Sequence, residues 1–360
     1  MPNRSIRKLD ELFEREIDRG TFPGAVVLVR NEKETLAHRA FGLKSELPAE
    51  EEMREDTIFD LASLTKVIVT TSLALKLLED GYWRLDDPVN EHLPEFDNRK
   101  VSLRQLLTHT SGLIPWADLF SGSQSRAEAL DKLFTDKWPH LDPVVPPGER
   151  VIYSDLNFII LGLAIENVTG EELDDLARNR IFRPLDMYDT CFNPPDDLKE
   201  RIAPTEKKGS GKAVIQGVVH DENCRSLGGV SGHAGLFSTA EDLGRFAGLL
   251  LNNGELAGKR TIGRKTLELT QKHHTEGLNE KRGLGWELQG ERAESAGDLL
   301  SESSFGHTGF TGGSIWVDPE NKVATVILAN RVHPDRNRGR QEIGGFRARA
   351  HNLVLNELGS

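Results

Sequence analysis

Cysteine is scarce in this chain, with Cys191 and Cys224 the only two among 360 residues. Two cysteines supply neither a disulfide framework nor a four-ligand zinc site, so free buried thiols are expected. Positive charge is short too: 45 lysines and arginines stand against 57 acids, for a formal charge of −12. Phosphate neutralisation and docking on anionic lipid both need a basic face, which argues against nucleic-acid and membrane-surface roles. No apolar run approaches the roughly 18 residues of a spanning helix. The N-terminal stretch Met1-Pro2-Asn3-Arg4-Ser5 leads straight into an amphipathic pattern, with no apolar h-region before it. That predicts no signal peptide and a cytoplasmic protein.

What remains is an ordinary globular composition, 37% hydrophobic and 28% charged, long enough for one large two-lobed domain. Apolar positions Ile6, Leu9, Leu12, Phe13 and Ile17 predict a surface helix over residues 5–19. Residues 24–30 and 35–41 read as strands about a polar turn. Residues 313–317 and 323–329 flank Asp318-Pro319-Glu320-Asn321-Lys322 as a second hairpin, and a helix closes the chain. Helical spacing dominates between them. The expected fold is α/β (α+β): an antiparallel sheet built from both termini and flanked by helices, with an inserted, mostly helical lobe. The α/β lobe takes residues 1–60 and 201–360, the helical lobe residues 61–200. A cleft between the lobes is where a ligand would sit.

Three stretches carry the chemistry. Ser63-Leu64-Thr65-Lys66 precedes the apolar run 67–75, so Ser63 and Lys66 share one helix face. Burial among apolar neighbours lowers a lysine pKa, and an easily neutralised amine beside a hydroxyl activates a nucleophile. The bland function of such a serine is a helix N-cap. Tyr153-Ser154-Asp155 lies on a loop before an apolar helix, and Ser154 or Asp155 could cap it. Gly306-His307-Thr308-Gly309-Phe310 comes just before a strand, where glycine admits a close backbone or ligand. No G-x-S-x-G occurs, which removes the α/β-hydrolase nucleophile elbow.

Together, and in this order, these stretches resemble the serine penicillin-recognising superfamily of class C β-lactamases, D,D-carboxypeptidases and related esterases. Its pattern is S-x-x-K, then Y-x-N, then K-T-G or H-T-G, and the likeness runs from about residue 10 to 335. Leu106-Leu107-Thr108-His109-Thr110-Ser111-Gly112-Leu113 and Gly235-Leu236-Phe237-Ser238 agree with it. The resemblance implies a β-lactamase/transpeptidase-like fold and an acyl-enzyme on Ser63. Lys66 and Tyr153 would share the proton transfer, and the backbone N–H groups of Ser63 and Phe310 would form the oxyanion hole. His307 would replace the lysine of the lactamase motif as a hydrogen-bond donor whose charge can switch near neutral pH. Thr308 and Gly309 would contact substrate. No metal or organic cofactor is implied.

Two departures bear on substrate. Asp155 replaces asparagine, and an ionised carboxylate only accepts hydrogen bonds, which argues against efficient penicillin hydrolysis. His307 weakens a fixed positive anchor for a substrate carboxylate. A further stretch, His220-Asp221-Glu222 with Gly232-His233-Ala234-Gly235, is similar to a narrower branch that includes exo-acting N-acetylmuramoyl-L-alanine amidases. In that branch His233 would line the cleft and residues 220–222 would select substrate. The expectation is therefore a serine hydrolase of small esters or amides, muropeptides included. The alternatives are a weak β-lactamase and a non-catalytic binder of wall fragments.

Overall fold

The computed structural model describes residues 6–135, 141–209, 211–290 and 295–358. Its main sheet has seven antiparallel strands drawn from both ends of the chain. From the first end come β1 (Gly24–Asn31), β2 (Thr35–Ser45) and β3 (Glu51–Glu52). Short strands β4 (Phe59–Asp60), β5 (Cys191–Phe192) and β6 (Leu236–Ser238) make a second sheet, and β7 (Glu255–Leu256) and β8 (Lys259–Arg260) a small hairpin. The second end supplies β9 (Glu287–Leu288), β10 (Phe305–Thr308), β11 (Ser314–Asp318) and β12 (Val323–Ala329). The order β3-β2-β1-β12-β11-β10-β9 puts β1 beside β12 in mid-sheet, with Ala25 opposite Ala329.

Strand period sets the two faces of that sheet. Ala25, Val27 and Val29 of β1 pack with Leu9, Leu12 and Phe13 of α1 (Arg7–Asp18) and with Phe346 and Val354 of the closing helix, Glu342–Leu358. Phe13 stacks on Phe41 at 4.7 Å and meets Phe346 edge-on at 5.0 Å. Val26 and Leu28 point the other way, into the large core shared with the central helices. The expected sheet from both termini, covered by terminal helices, is thus present. Both cysteines are free.

Between residues 61 and 200 the regular elements described are helices apart from β5. It holds α2 (Ser72–Glu79), α3 (Leu103–Leu107), α4 (Arg126–Phe134), α5 (Asp155–Thr169) and α6 (Leu173–Ala177). Helix α5 is apolar on nearly every side, so it is buried lengthwise, and Gly170 at φ +69° ends it in the left-handed conformation. Among the described residues no helix is long and apolar enough to cross a membrane.

Candidate active site

Strand β4 pairs with β6 and delivers the chain to Ser63. Asp60 at its end is buried, accepts the Ala62 N–H at 2.9 Å and the His220 N–H at 2.6 Å, and so ties the nucleophile loop to residues 219–222. Ala62 sits at φ +46°, a left-handed conformation that costs a non-glycine residue about 1–3 kcal/mol. That strain lies immediately before Ser63. After Ser63 the helix begins as a π-turn over Lys66–Thr71, a form frequent at functional sites. Its polar side chains dock on residues 232–236. Thr70 Oγ1 donates to Gly232 O at 2.6 Å, and Leu236 N–H donates to Thr65 Oγ1 at 3.2 Å. Gly232 permits this, because a Cβ there would lie 2.0 Å from Phe158 O of α5.

Lys66 is fully buried and all three of its N–H donors are engaged. They reach Ser63 Oγ at 3.0 Å, Asp155 Oδ1 at 2.7 Å and His233 O at 3.1 Å. The sequence reading has burial lowering the lysine pKa, and here the structure corrects it. Burial does push Lys66 down, but Asp155, helped by Tyr153, more than reverses it, and the net shift is upward. Lys66 is a held ammonium. Neither Ser63 nor Ser154 works as an N-cap: Ser63 Oγ takes the lysine, and Ser154 Oγ donates to Ile114 O at 2.6 Å. The ammonium lies 5.1 Å from the centre of the Tyr153 ring.

His307 also departs from expectation. Its Nδ1 is 2.8 Å from Thr308 O, which can only accept, so the proton is on Nδ1 and Nε2 is a bare lone pair. Burial foremost, then the charges of Lys66 and Arg282, hold its pKa well below the ordinary histidine value. A charge that switches near neutral pH is therefore ruled out. His307 is buried behind Thr308, beside the Tyr153 ring at 6.0 Å.

The hairpin after β10 is fixed from below by two buried arginines. Arg331 Nη2 donates to Phe310 O at 2.6 Å, and Arg347 Nη2 donates to Gly313 O at 2.7 Å. Burial pushes Arg347 down to about 9. Gly309 packs on the chain entering the nucleophile, since a Cβ there would stand 2.4 Å from Leu61 O. Thr311 Oγ1 donates to Asp60 O at 2.7 Å and completes the bond between the two walls.

The cleft over Ser63 holds about 370 Å³ and is lined by Tyr153, Asp155, Thr308, Phe310, His220, Asp221, Glu222 and His233, with Trp116 and Arg336 at its mouth. Every residue proposed from sequence thus meets here except Lys66, His307 and Gly309, which lie just behind the surface. Asp221 accepts from His233 Nε2 at 2.9 Å. Despite its burial, that contact keeps the Asp221 carboxyl far below its usual range. Arg336 spans Glu206 at 3.0 Å and Glu222 at 2.6 Å. Trp116, Arg336, Arg347 and Asp60 were not found by sequence reasoning. Asp60 was within reach, as the last residue before a serine loop.

The model of the family described as Beta-lactamase matches residues 9–347. The chain belongs to that family. Proteins similar to this chain include an N-acetylmuramyl-L-alanine amidase of Bacillus subtilis, 29% identical over 92% of this chain and 82% of the relative. Another is a putative D-alanyl-D-alanine carboxypeptidase of Escherichia coli K12, 30% identical over 98% and 89%. In fold it is similar to EstCE1, a hydrolase with promiscuous acyltransferase activity, with a TM-score of 0.77, 21% identity and 97% of both chains covered. Simvastatin synthase of Aspergillus terreus follows at 0.75, 20% identity and 98% of each chain. The protein is a serine hydrolase of the beta-lactamase family.

Proposed function

We propose that this hydrolase cleaves small esters and amides through an acyl-enzyme on Ser63, with the amide between N-acetylmuramic acid and a peptide as its sharpest substrate. The observation that carries it is Lys66 Nζ, 3.0 Å from Ser63 Oγ on the floor of a cleft. Ser63 Oγ attacks the carbonyl carbon. Because Lys66 is already charged and fully engaged, it cannot take the serine proton, which goes to the oxygen of Tyr153 in its phenolate form and leaves that side chain a neutral phenol. Lys66 instead stabilises negative charge as it moves between the two oxygens. The carbonyl oxygen collects its charge against the N–H groups of Ser63 and Phe310, the latter held by Arg331. Tyr153 returns the proton to the leaving amine or alcohol, and water then releases the acyl group by the reverse path.

The substrate reading rests on polarity. Asp155 and Asp221 present acceptors to the cleft, and the strand-edge residue is a neutral imidazole. A free carboxylate, which a β-lactam or a D-Ala-D-Ala terminus carries, meets among the described lining residues only one arginine, Arg336, which Glu206 and Glu222 already hold. An amide or hydroxyl-rich substrate suits the acceptors better, as does the similarity to the Bacillus amidase. The test is a fluorophosphonate probe with peptide mapping, then a panel of p-nitrophenyl esters, β-lactams, D-Ala-D-Ala peptides and N-acetylmuramoyl peptides. Labelling at Ser63 with preference for the muramoyl amide supports the reading. No adduct at Ser63 defeats the nucleophile assignment, and preference for D-Ala-D-Ala defeats the substrate assignment.

A further inference from the structure

His109 lies outside the cleft lining, yet it touches Tyr153 and both of its chain neighbours. It is fully buried, and its backbone stands at φ +57°, an unusual conformation for a residue with a side chain. Its carbonyl accepts the N–H of Ile152 at 2.8 Å. Its Nδ1 accepts the N–H of Ser154 at 3.1 Å, with Asn157 Nδ2 at 3.3 Å. One residue therefore holds the backbone N–H of the residue on each side of Tyr153. Its ring also lies against the phenol, with centroids 4.5 Å apart and planes 33° from parallel.

The bond from Ser154 fixes the tautomer. A backbone N–H only donates, so Nδ1 is the lone pair and the proton sits on Nε2. His307, on the same phenol, carries its proton on Nδ1. The two imidazoles are thus opposite tautomers, a donor at His109 Nε2 and an acceptor at His307 Nε2. Both nitrogens are buried without a protein partner among the described residues. Burial, then Arg282, Lys66 and His307, keep His109 well below the ordinary histidine range. A second proton on His109 would have to displace the Ser154 bond.

We propose that His109 is the positioning residue of Tyr153, clamping its backbone on both sides and its ring from one face so that the phenol oxygen stays in line with Ser63. The left-handed backbone is what lets a single residue make all three contacts. This rests on the reading of Ser63 as nucleophile and Tyr153 as base, and the experiment separates the two.

His109→Asn keeps a residue that tolerates the left-handed conformation and an amide oxygen near the Nδ1 position, but removes the ring. Turnover of p-nitrophenyl acetate is measured for the wild type, His109→Asn, Tyr153→Phe and the double variant, with thermal unfolding to verify folding. The expected result is a kcat lowered at least tenfold in His109→Asn with KM within twofold. In the Tyr153→Phe background the same change alters kcat by less than twofold, because nothing is left to position. An equal loss in both backgrounds, or a kcat within twofold of wild type, overturns the proposal while leaving the nucleophile in place. A wild type that neither labels at Ser63 nor turns over the ester brings down both. Should His109→Asn fail to fold, His109→Gln, carried through the same four-way comparison, decides by the same criteria.

Discussion

Asp155→Asn is the most informative single change, because it removes one charge and almost no volume. At 2.7 Å, with an effective dielectric constant of about 20, the Lys66–Asp155 pair attracts by roughly 6 kcal/mol before desolvation. Removing one partner of a buried pair typically costs about 3–5 kcal/mol. Asp155 is 21% exposed while Lys66 is wholly buried, which places the loss near the lower end, about 3 kcal/mol at neutral pH. The sign of the pH dependence follows. In the wild type Lys66 is raised, so its contribution is intact below the unfolded lysine pKa of about 10.4 and is lost only as pH rises through the folded value. In the variant the share of Asp155 is gone, burial is opposed by Tyr153 alone, and Lys66 falls relative to the wild type. The deficit is then greatest at neutral pH and narrows as the buried amine sheds its proton. Guanidinium unfolding of both proteins between about pH 6 and about pH 9.5 measures this. In the same variant a neutral Lys66 becomes able to accept the serine proton, so ester hydrolysis gains an alkaline limb and β-lactam turnover rises relative to ester turnover. A stability gap below about 1 kcal/mol that stays flat with pH would refute the claim that Asp155 holds the ammonium.

Ser63→Ala is expected to abolish p-nitrophenyl ester turnover, and Lys66→Ala to slow acylation by about 10²–10³-fold in stopped-flow measurements; full activity in either variant sinks the mechanism. Gly309→Ala forces its new methyl against Leu61 O, 2.4 Å away, and is expected to cost about 1–3 kcal/mol and most of kcat. A variant with wild-type melting and turnover would show that the hairpin is not set by that contact. Burial pushes the Asp242 carboxyl up to about 6, against hydrogen bonds from Thr190 Oγ1 and Asp189 N–H. The folded state therefore holds a proton that the unfolded state has lost, and stability falls by about 2 kcal/mol as pH rises from about 4 to about 6. Asp242→Asn, whose amide oxygen accepts the same two bonds, is expected to lack that decline, and parallel melting curves for the two proteins would contradict this.

Much of the fold was legible because local patterns agreed with the final packing. The alternation in β1 and the spacing of Leu9, Leu12 and Phe13 need only neighbours in sequence to be read. Ser63, Lys66 and Tyr153 were legible as a set, since each sits at the junction of a loop and an apolar helix. Protonation was not. Lys66 carries the apolar flanks of a neutral amine, and only the approach of Asp155 across 89 positions makes it an ammonium. His307 reads as a switchable base until Thr308 O and burial fix its tautomer. Arg336 and Trp116 enter the cleft from loops with no periodic pattern, so nothing local announced them.

The pairing of β1 with β12 has a consequence for the newborn chain. Ala25 and Ala329 are about three hundred residues apart, and synthesis at about 5–20 residues per second separates their appearance by roughly 15–60 s. Through that interval β1 has an open edge on the side β12 will fill, a template for pairing with other chains. Ser63 is made early, whereas Phe310 and its anchors Arg331 and Arg347 emerge last. Under the oxyanion role proposed for Phe310, acyl chemistry waits until this hairpin and its arginine anchors have been made, and a ribosome that stalls before β12 leaves a fragment with an open strand edge and an incomplete site.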